Sequence, residues 1–74
     1  MFVSKEKATR IAEKHLLLVK NVEKVEIFST DESYGDWVVH GTYPFDLQGH
    51  QWMEKFEVTV DSKGKIKSAK YSLL

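Results

Sequence analysis

FEVTVDSKGKIKSAKYSL, residues 56–73, is the stretch that decides the fold of this chain. It begins with apolar Phe56, Val58 and Val60 alternating with polar side chains, which is the period-two pattern of a strand with one buried face. The next four residues, DSKG, form a hairpin turn in which the glycine supplies a positive φ. The pattern therefore predicts an antiparallel hairpin at the end of the chain.

The two strands of this hairpin are predicted over about residues 50–60 and 65–73. In the second strand Ile66 has one parity, whereas Ala69, Tyr71 and Leu73 have the other. Either a bulge near Lys67-Ser68 turns all four side chains to the core, or one set faces outward. The sequence leaves both arrangements open.

Residues 4–20 are predicted to form a helix. Ser4 is a suitable N-cap, and Asn21 is predicted to be a left-handed C-cap. An apolar stripe follows the helical period at Ala8, Ile11, Ala12, His15, Leu16 and Val19.

Two further strands are predicted between the helix and the hairpin, over about residues 23–29 and 37–43. Residues 30–36 are predicted to form a polar turn, and Pro44 is expected to end the second strand, because proline cannot donate to a ladder. Residues 45–49 are then a loop. The expected fold is a single α+β domain, residues 1–74, with one helix on a four-stranded antiparallel meander in the order αββββ.

The overall charge and the absence of cysteine limit the function classes. The 74 residues have a net charge of zero, but residues 1–24 carry +3, residues 25–57 carry −6 and residues 58–74 carry +3. Such opposed patches permit self-association and lack the overall basic field of a nucleic-acid binder. Without cysteine there are no disulfides or thiolate metal sites. With no export signal visible either, a cytoplasmic location is expected.

Residues 56–70, together with the helix segment Ala8-Thr9-Arg10-Ile11-Ala12, resemble a PepSY domain. In that family a strand ending in V-D, a glycine turn and a valine or isoleucine strand recur, and the helix precedes the meander. The resemblance covers roughly Ser4 to Tyr71. It implies a non-catalytic domain that modulates peptidases or acts as a sensory or inhibitory module, and it supplies no catalytic residues. The cystatin-like arrangement of a helix wrapped by an antiparallel sheet is a similar architecture.

No catalytic, metal or cofactor site is predicted. His15, His40 and His50 lack the i,i+4 or i,i+2 spacing of paired metal ligands. No glycine elbow surrounds a serine and no phosphate-binding loop is present. An enzyme also needs a pocket of about 300 Å³ or more, for which one helix over a small sheet has little room. The chain is therefore not expected to be an enzyme.

Aromatic and apolar side chains are the candidate contact residues, because tryptophan and tyrosine often carry protein–protein contacts. The preferred site is the predicted loop after Pro44, where an apolar pair has few alternatives in the core. The candidates are Phe45, Leu47, Trp37, Trp52 and Tyr43.

A homodimer is expected through the sheet face that the helix leaves free. Trp37, Val38, Val39, Trp52 and Met53 place apolar side chains in both parities of the middle strands, so both faces are predicted to be partly buried. With only one helix, a second copy is the natural cover. No membrane association is expected, because the longest apolar run, Leu16 to Val19, is far too short to span a bilayer.

Two functional hypotheses follow. The first is a non-catalytic module that binds or regulates a protein or peptide and acts as a homodimer. The alternative is a weak nucleic-acid-associated module that uses the helix and the C-terminal lysines, Lys63, Lys65, Lys67 and Lys70. It ranks second, because the acidic middle third would repel a polyanion and edge lysines commonly discourage aggregation.

Overall fold

The chain folds as one helix on an open four-stranded antiparallel sheet, as seen in a computed structural model that describes residues 2–74. The order along the chain is α1 (Lys5–Val19), β1 (Glu26–Ser33), β2 (Asp36–Leu47), β3 (His50–Val60) and β4 (Ile66–Leu73). The strands lie in the sheet in the same order as in the sequence. The predicted α+β class and αββββ order are confirmed.

The helix begins at the predicted N-cap, but its C-cap is Lys20 and the predicted cap, Asn21, is the next residue. The Ser4 side chain accepts a hydrogen bond of 3.1 Å from the backbone N–H of Lys7, which satisfies one of the free donors of the first turn. At the other end Asn21 has a φ of 53°. Ala8, Ala12 and Leu16 are buried, and these residues fix which face of the helix packs on the sheet.

The first hairpin is tighter than predicted. Strand β1 runs over Glu26–Ser33 instead of 23–29, and the turn is only Tyr34 and Gly35. Both turn residues have positive φ, as the favoured two-residue hairpin turn requires. The polar residues 30–33, which were expected in the turn, instead pair with the start of β2.

Strand β2 does not end at Pro44, so the predicted end of this strand and the predicted loop over 45–49 are wrong. The strand continues to Leu47, and Pro44 pairs with Met53. The carbonyl of Met53 accepts from the N–H of Leu74 on the β4 side. Because a residue in an antiparallel strand directs its N–H and C=O to the same side, Pro44 and Met53 form a pair without mutual hydrogen bonds. The proline nitrogen therefore points away from β3, toward the β1 side of the strand. Pairing with β1 begins only at Thr42, so β1 offers no partner for a donor at position 44.

The last strand contains the bulge that the sequence left open. Val60 pairs with Ile66 but Thr59 pairs with Ser68, so Lys67 is the extra residue of β4. Through this bulge Ile66, Ala69 and Tyr71 all pack against the core, opposite Val60, Val58 and Phe56.

The two faces of the sheet differ more than the sequence suggested. Strand pairing places Trp37, Val39 and Trp52 on the side of the helix, where Val39 is buried. The strand residues on the opposite, helix-free face are mostly polar, and its apolar residues in β2 and β3 are Val38, Pro44 and Met53. The apolar side chains expected on both faces are thus unequally divided, because both tryptophans share the parity of the core while Val38 and Met53 lie on the helix-free face.

Candidate interaction surfaces

Residues 44–53 form a two-stranded arm that extends past the rest of the sheet. Pairing of β1 with β2 begins at Glu26 and Thr42, and pairing of β4 with β3 ends at Leu73 and Glu54. Beyond those rows only β2 and β3 continue, and they close in a turn at Gln48 and Gly49, both with positive φ. The arm contributes to the elongated shape of the molecule, which measures 45 × 19 × 17 Å.

One side of the arm carries four apolar side chains, three of which are exposed. Phe45 lies opposite Trp52, and Leu47 follows Phe45 on the same side of the strand. Leu73 lies opposite Glu54, which makes it a diagonal neighbour of Trp52. The exposed fractions are 54% for Leu47, 41% for Trp52 and 57% for Leu73, whereas Phe45 is half-buried against the core. These four residues are called the arm surface below.

Three of the five candidate contact residues, Phe45, Leu47 and Trp52, thus meet on one surface. Leu73 is the member that the sequence analysis missed as a contact residue, although its parity with Tyr71 was a usable signal. The other two candidates lie elsewhere. Tyr43 is 1% exposed and belongs to the core, so it cannot touch a partner. The indole N–H of Trp37 donates to the carbonyl of Val3 over 3.0 Å, at the start of the chain.

A polar network holds the base of the arm. The Tyr43 hydroxyl donates to the Glu54 carboxylate across the β2–β3 ladder, and the Tyr43 ring stacks on Phe56 with centroids 6.1 Å apart. Burial and then the bond to Glu54 raise the pKa of Tyr43 well above its ordinary value.

Tyr71 extends this network toward the helix. Its ring meets Tyr43 edge-on, and the Lys20 ammonium lies 3.9 Å from the centre of the Tyr71 ring. Burial first, and then the charge of Glu54, raise the pKa of Tyr71. These contacts connect Lys20, at the end of the helix, with β4 and with the base of the arm.

The helix-free face carries charges in a definite order across the sheet. Glu26 and Asp31 lie on its β1 side, and β1 contains no basic residue. Lys70 lies on its β4 side, and β4 contains no acidic residue. The β1 side is therefore acidic and the β4 side basic.

A cross-strand row of titratable groups runs through the middle of this face. Glu57 lies between His40 and Lys70, with its carboxylate oxygens 3.9 Å from His40 Nδ1 and 4.0 Å from Lys70 Nζ. A groove of about 430 Å³ lies over this row and is also lined by Lys55 and Ser72. All four charged or titratable side chains remain substantially exposed, so the row is a loose ion-pair ladder on the surface.

The C-terminal lysines are partly engaged within the chain. Lys67 Nζ lies 2.8 Å from Asp36 Oδ2, and this contact raises the pKa of Lys67. In the turn before β4, the Asp61 carboxylate accepts from the backbone N–H groups of Lys65 and Lys63, which lowers the pKa of Asp61. Two of the four lysines proposed for nucleic-acid contact, Lys67 and Lys70, therefore already face carboxylates of this chain.

Within residues 2–74, no three histidine, aspartate or glutamate side chains come close enough together to hold a metal ion. No helix of that part of the chain has the length and apolar character needed to cross a membrane. Comparisons with protein-family models, curated protein sequences and solved structures returned no match, and the PepSY resemblance stays a prediction.

Proposed function

We propose that this chain is a non-catalytic interaction module that binds a protein or peptide through the arm surface. The observation that carries the proposal is the set of exposed apolar side chains, Leu47, Trp52 and Leu73, on one side of a two-stranded arm. Contiguous apolar surface of this kind is typical of contact sites, and aromatic residues are frequent anchors within them.

The arm is also suited to binding because its base is ordered before any partner arrives. Tyr43, Glu54 and Tyr71 connect the arm to the core through a hydrogen bond and ring contacts. Because these contacts restrain the base of the arm, association costs less conformational entropy than it would for an unanchored hairpin. The partner that fits is a peptide segment with aromatic or branched apolar side chains.

Selection from a random peptide library tests this proposal. The immobilised chain should enrich peptides with apolar anchors, and Leu47→Ser combined with Leu73→Ser should weaken their binding about tenfold or more, because two buried contacts are lost. Phe28→Ser is the control, since Phe28 is an exposed apolar residue, at 67%, but lies on β1. Peptides that bind the double variant as tightly as the original chain would exclude the arm surface.

Self-association belongs to the same proposal. A single helix covers one sheet face, and an 8.6 kDa domain has a small core, so a homodimer would add buried surface that the monomer lacks. Light scattering measures this directly. A mass of 8.6 kDa that persists at high protein concentration would rule out the homodimer and leave the peptide-binding proposal intact.

The nucleic-acid hypothesis ranks second for a structural reason. Lys67 and Lys70 lie beside Asp36 and Glu57, so a polyanion would have to displace or overcome those carboxylates. Binding of single-stranded and duplex DNA across a salt series separates the two hypotheses. Affinity that falls steeply with salt would favour the nucleic-acid module.

A further inference from the structure

We propose that a second copy of the chain covers the helix-free face, with the two-fold axis parallel to the strands. In this dimer the acidic β1 side of each copy lies over the basic β4 side of the other. The inference rests on the proposed homodimer and specifies its surface and its orientation.

The order of charges selects the orientation. Two copies can stack face to face with their two-fold axis either perpendicular or parallel to the strands. A perpendicular axis places β1 over β1 and β4 over β4, which opposes the acidic side to an acidic side and the basic side to a basic side. A parallel axis places β1 over β4 and so brings the carboxylates of one copy near the ammonium groups of the other. Like charges at an interface are costly, so the parallel axis is favoured.

The central row gives a second reason for the same axis. The row is His40, Glu57 and Lys70, on β2, β3 and β4. A two-fold axis that runs between β2 and β3 and parallel to them places β2 of one copy over β3 of the other. His40 of one copy then faces Glu57 of the other. The two contacts that Glu57 makes within its own chain are long, at 3.9 and 4.0 Å. Its carboxylate therefore has hydrogen-bonding capacity left for a group from a second copy.

The size of the face predicts a reversible dimer. Four strands about 4.8 Å apart and about eight residues long give a face of on the order of 500 Å² per copy. Stable dimers of standard size bury about 800 Å² per partner. Association should therefore depend on protein concentration, and it should weaken as salt screens the facing charges.

Charge reversal tests the orientation. Asp31→Lys and Lys70→Glu should each raise the dimer dissociation constant about tenfold, because each opposes like charges twice across the axis. The combined variant Asp31→Lys/Lys70→Glu should recover most of the original affinity. Within one chain these residues lie on the two outer strands, so their rescue would report a contact between copies. Lys14→Glu, on the exposed side of the helix, is the control for net charge.

Disulfide trapping gives a second readout of the orientation. The chain has no cysteine, and Asp31 and Ser68 lie in the same cross-strand row, so the proposed axis places Asp31→Cys on β1 of one copy opposite Ser68→Cys on β4 of the other. When the two variants are mixed, one of them labelled with nitrogen-15, mass spectrometry should find mainly disulfides between unlike chains. Mainly like-with-like disulfides would overturn the proposed axis.

The failure of this inference differs from the failure of the homodimer proposal. If the wild-type chain is a dimer, but both charge reversals are tolerated and Asp31→Cys is not trapped with Ser68→Cys, the orientation is overturned and the homodimer is kept. A wild-type chain that stays monomeric would overturn both. Assemblies that grow beyond two chains would indicate edge-to-edge pairing of β1 with β4 and would also overturn the inference.

Discussion

Thr42 lies on the helix-free side of β2 and is buried, and its hydroxyl has no hydrogen-bond partner within residues 2–74. A buried polar group without a partner lowers stability, whereas an apolar group of the same shape does not. Thr42→Val should therefore raise the free energy of unfolding by about 1 kcal/mol, measured by chemical denaturation.

Thr30 is the matched control for this substitution. It is equally buried, but its hydroxyl lies 2.6 Å from that of Thr9, which itself donates to the Lys5 carbonyl. Thr30→Val should lower the free energy of unfolding by about 1 kcal/mol. If both substitutions change stability in the same direction, the unpaired state of Thr42 has no energetic consequence.

Tyr43 makes the fold sensitive to alkali. Its pKa is raised in the folded state above the ordinary value of about 10, so the unfolded chain releases this proton first as the pH rises. The stabilisation is complete below pH 10 and is lost progressively above it, by up to about 1.4 kcal/mol per pH unit. Tyr43→Phe should flatten the dependence of unfolding free energy on pH above 10. Parallel profiles for the two proteins would contradict this account.

The arm is expected to be the least stable element of the sheet. By the alternation of the antiparallel ladder, the amides of Val39 and Phe45 both donate between β2 and β3. Val39 lies under the helix in the buried core, whereas Phe45 is half-buried in the arm. Hydrogen exchange at Phe45 should therefore be faster, because local opening of the arm exposes less apolar surface than opening of the core. Equal protection at the two amides would show that the arm and the core open together.

Strands β2 and β4 show what the sequence could and could not predict at the level of elements. The helix and the last hairpin followed from caps, periodicity and turn residues, which are local properties. The end of β2 could not be predicted in this way, because proline ends a strand only where its nitrogen faces a neighbouring strand. Whether Pro44 has a neighbour on that side depends on where β1 begins, which is a property of the whole sheet. The bulge at Lys67 was likewise one of two options that only pairing with β3 could decide.

At the scale of the molecule, the candidate site was predictable in part. Phe45, Leu47 and Trp52 were recognisable as apolar residues near a turn, and the structure places them on one side of the arm. Tyr43 and Trp37 are also aromatic but lie in or beside the core. Amino-acid type alone does not show how far the helix reaches along the sheet, so it could not separate these two residues from the exposed ones. Both faces of the sheet were predicted to be partly buried by apolar side chains, whereas the helix-free face is mostly polar and is distinguished by the order of its charges.

The elongation of the molecule has a hydrodynamic consequence. The monomer measures 45 × 19 × 17 Å, so it experiences more friction than a sphere of its mass. Stacking a second copy on the helix-free face thickens only the short direction, so the dimer is rounder than the monomer. Its sedimentation coefficient should then rise by more than the gain in mass alone predicts for particles of constant shape. Pairing along a sheet edge would double the other short direction, so a faster-sedimenting species reports association itself, without any substitution in the chain.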